Sequence, residues 1–233
     1  EVVYLMFNEG YSATRGSDWM RPALCDEALR LARRLVPLAP REREVLGLLA
    51  LLELQASRAA ARVDAQGRAV LLMEQDRGRW DRLLIGRGLQ ALAAALALGG
   101  AAGPYELQAE LAACHARATT APATDWGAIV TGYDRLMAIA PSPVVALNRA
   151  VALGMAQGPA AALPAVEALA QDASMQRYHL LHAVRGDLLQ RLGRGAEARQ
   201  AFEQAAAMTG NESERAVMRA RAQAVESGPG RSS

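Results

Sequence analysis

The chain has 233 residues, of which 52% are hydrophobic, 21% are charged and 4% are aromatic. This length and this apolar content allow a sizeable core and exclude an intrinsically disordered chain. The 26 basic and 24 acidic side chains leave a net charge of +2, so the chain lacks the charge of a dedicated nucleic-acid binder. Lysine is absent from the sequence, which excludes Schiff-base and P-loop chemistry.

The most apolar runs, residues 45–52 and 89–98, are about ten residues long. A helix that crosses a bilayer needs about twenty, so we expect no contact with a membrane. Cys25 and Cys114 lie far apart in helix-like sequence, and we expect both to be reduced thiols of a cytoplasmic protein. Because the chain begins at Glu1 rather than at a methionine, we interpret it as part of a longer protein.

Helical periodicity dominates the first hundred residues. Leucine and alanine recur at steps of four and three over residues 24–38, which predicts a helix that ends at the nearby prolines. Residues 41–62 are predicted to form the antiparallel return helix, and residues 79–98 a further helix that ends at two glycines. Residues 69–73 are the one candidate strand. They have no partner run, so we interpret them as an extended loop or a piece of helix.

From Pro104 onward the sequence follows the tetratricopeptide pattern, a unit of about 34 residues that pairs two helices around small side chains. The clearest unit places Gly186 on its first helix and Phe202 on its second, and a loop of hairpin length joins them. The unit before it is less regular. We expect its second helix to be disturbed by Pro159 and Pro164.

These patterns predict an all-α chain built from helical hairpins. Its expected parts are an N-terminal helical sub-region, 1–100, a tetratricopeptide-like array of three hairpins with a capping helix, 104–226, and a disordered tail, 227–233. Two helix starts support these boundaries. Ser142 precedes a proline at a first helical position, and Asn211 opens a capping-box pattern.

The sequence holds no arrangement typical of a catalytic or a metal site. It has no Gly-x-Ser-x-Gly motif, no glycine-rich phosphate loop, and no nucleophile at a fixed spacing from a histidine. His179 and His182 share one predicted helix, but a metal site needs three or four converging ligands. We therefore expect a protein that is not an enzyme and that needs no metal or other cofactor.

Two groups of polar residues are candidates for a ligand or partner site. Asn8, Glu9 and Tyr11 follow an apolar run, and Gly10 between them predicts a loop with a positive φ angle. These side chains could bind a ligand, or they could tie the loop to the helix ends. The second group surrounds a tryptophan and consists of Glu74, Asp76, Arg77, Trp80 and Asp81.

The tryptophan group has two interpretations. It could be a salt-bridge network buried at a helix junction, or the edge of a pocket where an aromatic wall and a few charges face a ligand. Tyr105 and Gln108 are candidates of the same kind, as are Asn148 and Arg149. Asn148 could face a concave groove and hold a peptide backbone, or it could bond to a neighbouring helix.

Seven segments stand in the same order as the motifs of a known family. They are YLMFNEGY (4–11), CDEALRLAR (25–33), EVLGLLAL (44–51), QDRGRWD (75–81), GPYELQA (103–109), CHARA (114–118) and PSPVVALNRA (141–150). Together they resemble the C-terminal, tetratricopeptide-like extension of a group of bacterial extracytoplasmic-function (ECF) RNA polymerase sigma factors. The resemblance extends over about residues 1–225.

This resemblance implies that promoter-binding sigma regions precede the chain in the full-length protein. It implies a regulatory protein-interaction domain that modulates sigma-dependent transcription initiation. The implied partners are the protein's own sigma regions and core RNA polymerase, with a small YCII-like protein as a further candidate. DNA would be contacted only through the sigma regions, which this chain lacks. A small-molecule-sensing domain of the same regulator is the alternative.

Overall fold

The structure, a computed structural model, describes residues 1–11 and 20–226. These residues fold mainly into α-helices, and the extended backbone among them pairs only in an isolated bridge between Val63 and Ala69. The predicted all-α array of helical hairpins is confirmed. In chain order the helices are α1 (Val2–Tyr11), α2 (Pro22–Leu35), α3 (Arg43–Ala56), α4 (Arg82–Ala97), α5 (Pro104–Arg117), α6 (Trp126–Ile139), α7 (Pro143–Ala156), α8 (Pro159–Leu169), α9 (His179–Arg191), α10 (Gly195–Met208) and α11 (Glu212–Glu226).

The described helices belong to two compact units, which divide after Ala140. Helices α1–α6 form unit 1 and α7–α11 form unit 2. The sequence suggested a boundary at residues 100–104 instead. The division comes later because α5 packs along α3 and shares its apolar core, and α6 packs on α5.

Helix α3 is the central helix of unit 1. It contacts α1, α2, α4 and α5. Leu48, Leu51, Leu52 and Leu54 point to different sides of α3, and each is at most 5% exposed. A helix that is apolar on all sides is stable only when it is surrounded, which explains why the other helices pack around this one.

Polar contacts fix α5 against α3. The Arg43 guanidinium at the start of α3 donates to the carboxylate of Glu106, which is 0% exposed, with an Nε–Oε2 distance of 2.8 Å. Glu44 accepts hydrogen bonds at 3.1 Å from the backbone N–H groups of Tyr105 and Glu106, so it satisfies free donors in the first turn of α5. Gly47 leaves room for this approach, since a Cβ there would lie 2.7 Å from the Glu106 nitrogen.

Unit 2 consists of the hairpins α7–α8 and α9–α10, followed by α11. Helix α8 packs on α9, and α11 covers α10, as expected for a capping helix. Gly186 and Phe202 meet where the sequence pattern placed them: a Cβ at Gly186 would lie 2.7 Å from the buried phenyl ring. Helix α8 runs through Pro164 without the break that was expected, and Pro159 occupies its first turn, where a missing backbone N–H costs nothing.

Several helix ends can be compared with their predicted positions. Helix α3 ends at Ala56, earlier than expected, because Ser57 folds back and donates its hydroxyl to the Leu54 carbonyl at 2.7 Å. The caps at Ser142 and Asn211 are confirmed, as each side-chain oxygen accepts from backbone N–H groups of the following turn.

The predicted tail, 227–233, lies outside the described residues. None of the described helices has the length and apolar content that a membrane crossing requires.

Candidate functional site

The segment 8–11 is helical and is not the loop that the sequence suggested. It forms the last turn of α1, and Gly10 does not take a positive φ angle. Gly10 is needed for close packing instead, because a Cβ there would lie 2.8 Å from the backbone of α2. Asn8 is exposed on this turn, and Glu9 forms an ion pair with Arg21 at 3.0 Å.

The acidic residues of the tryptophan group do not pair with Arg77. Asp76 accepts from the backbone N–H of Gly78 at 2.8 Å and caps a short 3-10 turn. Asp81 is the N-cap of α4, where it accepts from two backbone N–H groups at 2.8 and 3.0 Å. Glu74 is exposed. The salt-bridge interpretation is therefore wrong for Asp76 and Asp81, since they satisfy free backbone donors at the starts of a 3-10 turn and of α4.

Arg77 is 5% exposed and binds the C-terminal end of α5. Its guanidinium donates to the carbonyls of His115 at 2.6 Å and Ala118 at 2.8 Å, and to the Thr124 hydroxyl at 2.8 Å. The last carbonyls of a helix lack partners and carry partial negative charge, so a buried cation is favourable there. Arg77 therefore joins the loop before α4 to the end of α5.

Three arginines gather around two aromatic rings in unit 1, in what we call the arginine–aromatic cluster: Tyr11, Arg58, Arg62, Arg77 and Trp80. The Arg77 guanidinium carbon lies 4.8 Å from the centre of the Trp80 ring. The Arg58 carbon lies 5.7 Å from that ring and 5.8 Å from the Tyr11 ring. Arg62 is 3.6 Å from the Tyr11 ring, and its Nη2 donates to the Tyr11 carbonyl at 2.9 Å.

Burial and neighbouring positive charges lower the pKa values of side chains in and beside the cluster. Burial lowers the pKa of Arg77 and of Arg62, and the neighbouring charge of Arg58 lowers both further. Burial also lowers the pKa of His115 to about 3, with smaller contributions from Arg58 and Arg77. His115 is therefore neutral at physiological pH and adds no fourth positive charge.

A second feature of unit 1 is an open groove among α2, α3 and α4, with a volume of about 510 Å³. Its one buried charge is Glu53, which is 2% exposed and accepts from Arg33 Nε at 2.9 Å and Nη2 at 3.2 Å. Residues three and four apart on α4 share one helix face, which supplies one wall. The lining residues are Arg33, Val36, Leu46, Leu49, Glu53, Arg87, Gln90, Ala91 and Ala94.

The remaining predicted site residues lie outside both the cluster and the groove. Tyr105 packs against the ring of Tyr4 at 5.1 Å, and Gln108 accepts the Tyr4 hydroxyl proton at 2.8 Å, so both tie α1 to α5. Asn148 is exposed on α7, where Arg149 is half-buried, and both belong to unit 2. Of the predicted site residues, the structure thus brings Tyr11, Arg77 and Trp80 into one cluster and Tyr105 and Gln108 into another contact.

Sequence reasoning missed Arg58 and Arg62 of the cluster, and Arg33 and Glu53 of the groove. The spacing of four between Arg58 and Arg62 was a visible signal, but it indicates a shared helix face and does not identify the rings beside it. Arg33 and Glu53 are 20 residues apart on different helices, so only the packing of α2 on α3 joins them.

Two comparisons relate this chain to known proteins. Residues 1–96, which include α1–α3 and nearly all of α4, match a family model described as a family of unknown function, DUF6596. An uncharacterized protein of Rhizobium meliloti (strain 1021) is 49% identical over 218 residues, which are 94% of this chain and 51% of that protein. The chain therefore resembles DUF6596 proteins over the region that contains the groove and the arginine–aromatic cluster. It spans about half the length of the curated relative that it matches.

Proposed function

We propose that this chain is the C-terminal regulatory protein-interaction domain of an ECF sigma factor. In this proposal it modulates sigma-dependent transcription initiation in the cytoplasm by docking the promoter-binding part of the same polypeptide. DNA is contacted through that part and core RNA polymerase through the assembled protein, with a small YCII-like protein as a further partner. The motif resemblance across the chain supports this assignment, as does its tetratricopeptide-like second half.

The observation that carries the proposal is the groove of unit 1. It is open and largely apolar, and its exposed wall on α4 repeats small or polar residues at helical spacing: Arg87, Gln90 and Ala94. A groove of this form suits an amphipathic helix, which would place apolar side chains on Leu46 and Leu49. Arg87 has no carboxylate partner among the described residues, so an acidic residue of the docked helix would complement it.

The length of the relative is compatible with a docked segment in the same polypeptide. The Rhizobium meliloti protein has about as much sequence outside the matched region as inside it. A partner on the same chain is held at high effective concentration, so even a modest groove can keep it docked. We therefore propose the promoter-binding part as the occupant of the groove.

Substitution of one alanine on α4 tests this proposal. Ala94 lines the groove, Ala93 does not, and both are exposed. In the full-length protein we expect Ala94→Glu to weaken docking about tenfold or more, because burial of an unpaired carboxylate costs well over 1.4 kcal/mol. Transcription from the cognate promoter with core RNA polymerase should change accordingly.

Ala93→Glu is the matched control, with the same charge one residue away. It should leave transcription at the wild-type level, and the melting temperatures of both variants should stay close to that of the wild type. Wild-type transcription by both variants would refute the docking groove. Equal changes in both would show that added charge on α4, rather than the groove, affects the assay.

The alternative function, a small-molecule-sensing domain of the same regulator, has one observation in its favour. Tyr11 and Trp80 are 9% and 3% exposed, and the arginines around them carry positive charge in a partly buried place. A domain that only docks a protein through the groove does not need this arrangement. A ligand bound at Tyr11 and Trp80 would favour the sensing function.

A further inference from the structure

We propose that the arginine–aromatic cluster binds a small molecule through an oxyanion group, a phosphate or a carboxylate. The inference stands apart from the docking groove, because the two features use different residues. It names a ligand class for the alternative small-molecule-sensing function. Anion binding by the cluster is tested independently of partner binding by the groove.

The first support is a surplus of buried donors. Arg77 Nε and Trp80 Nε1 are buried and have no hydrogen-bond partner among the described residues, and the Tyr11 hydroxyl is buried beside Arg62. Each of these groups carries a hydrogen that it can donate. Buried polar groups are nearly always satisfied, so the two unpaired donors of Arg77 and Trp80, whose side chains are in contact, are places where an acceptor from outside the chain can bind.

The second support is the balance of charge. Arg58 donates a hydrogen bond to Gln55, and Arg77 donates to two carbonyls and a hydroxyl. Neither has a carboxylate partner in the described part of the chain. Arg62 adds a third positive charge beside Tyr11. Guanidinium groups match the geometry of carboxylates and phosphates, and one bound oxyanion would offset the repulsion among them.

The third support is access. Trp80 and Tyr11 are buried, whereas Arg58 and Arg62 are half-buried and so reach solvent. An anion can approach from solvent along these two side chains. Charge-assisted hydrogen bonds are stronger where water is excluded, which favours binding over loose surface association. The rings also offer apolar contact to the rest of the ligand.

The test measures the melting temperature of the chain in chloride, acetate or inorganic phosphate, at constant pH and ionic strength. A ligand that binds only the folded state raises the melting temperature with its concentration. We expect acetate or phosphate to do so relative to chloride. Stabilisation by one anion alone supports the proposal and identifies the preferred group, and stabilisation by both supports a shared oxyanion site.

Three variants locate the effect. Trp80→Phe removes the Nε1 donor and keeps an aromatic ring, and Arg58→Gln removes one charge; both should reduce the anion-dependent shift at least twofold. Arg219→Gln removes an exposed arginine of α11, outside both the cluster and the groove, and should keep the full shift. Should Arg58→Gln not fold, calorimetric titration of Trp80→Phe with the stabilising anion supplies the same comparison. The proposal is overturned if neither anion stabilises the wild type beyond chloride, or if Trp80→Phe binds as the wild type does.

Discussion

Replacement of Glu106 by alanine is expected to lower the free energy of unfolding of unit 1 by about 3–5 kcal/mol. Glu106 is 0% exposed and receives two hydrogen bonds from Arg43, which is itself only 15% exposed. Without the carboxylate, the half-buried guanidinium keeps its bonds to the carbonyls of Gly99 and Gly100 but loses its bonded counter-charge, which the more distant Glu44 and Glu110 replace only in part. The loss therefore combines a broken ion pair with the penalty of the remaining charge.

Urea denaturation followed by far-ultraviolet circular dichroism measures this loss. Glu110→Ala is the matched control on the same helix, since Glu110 pairs with Arg135 at an exposed position. Exposed ion pairs contribute about 0–1 kcal/mol, so the control should lose little. If both variants lost the same free energy, the Arg43–Glu106 pair would not be the contact that holds α5 on α3.

Gly47→Ala is expected to destabilise unit 1 by about 3 kcal/mol, at the upper end of the range for overpacking. The added Cβ would lie 2.7 Å from the nitrogen and 2.8 Å from the Cα of Glu106. These are backbone atoms of α5, so no side-chain rotation relieves the contact. The two helices must move apart, which weakens the Arg43–Glu106 pair and the Glu44 cap together.

Gly86→Ala, on the neighbouring helix α4, is expected to raise the stability that Gly47→Ala lowers. Gly86 lies within α4, is exposed, and has no atom within 4 Å of the position of an added Cβ. Alanine should stabilise this helix by about 0.5–1 kcal/mol, because glycine loses more backbone entropy on folding. Thermal or urea unfolding of the two variants side by side checks both signs. A stabilisation of equal size in both would mean that helix propensity, and not the α3–α5 contact, controls the effect.

The sequence predicted the helices well where the local signal was strong. Ser142 and Asn211 marked helix starts because a cap involves only neighbouring residues. Gly186 and Phe202 met as the repeat pattern indicated, since both positions belong to one hairpin. The end of α3 at Ala56 was missed, because the apolar run continued while a hydroxyl-to-carbonyl bond began a turn.

Contacts between distant residues were beyond such reasoning. Arg43 and Glu106 are 63 positions apart, and nothing in either neighbourhood identifies the other. Their pairing accompanies the apolar packing of α5 on α3, and that packing, which places the division after Ala140, was missed as well. The sequence predicted only some residues of the candidate site, because the contacts that complete it also join residues that are distant in the chain. The sequence singled out Arg77 and Trp80 as a polar–aromatic group, but it supplied the wrong partners, since Asp76 and Asp81 cap turns.

The docking of the promoter-binding part in the groove is the central claim, and a thiol-labelling rate tests it most directly. Ala94→Cys places a thiol in the groove, and Ala93→Cys places one beside it on the same helix. Labelling of each site by a maleimide, resolved by peptide mass spectrometry, is compared between the full-length protein and this chain alone. If the promoter-binding part docks here, residue 94 is labelled at least tenfold more slowly in the full-length protein, while residue 93 is labelled equally in both. Equal labelling of residue 94 in the two proteins would contradict it.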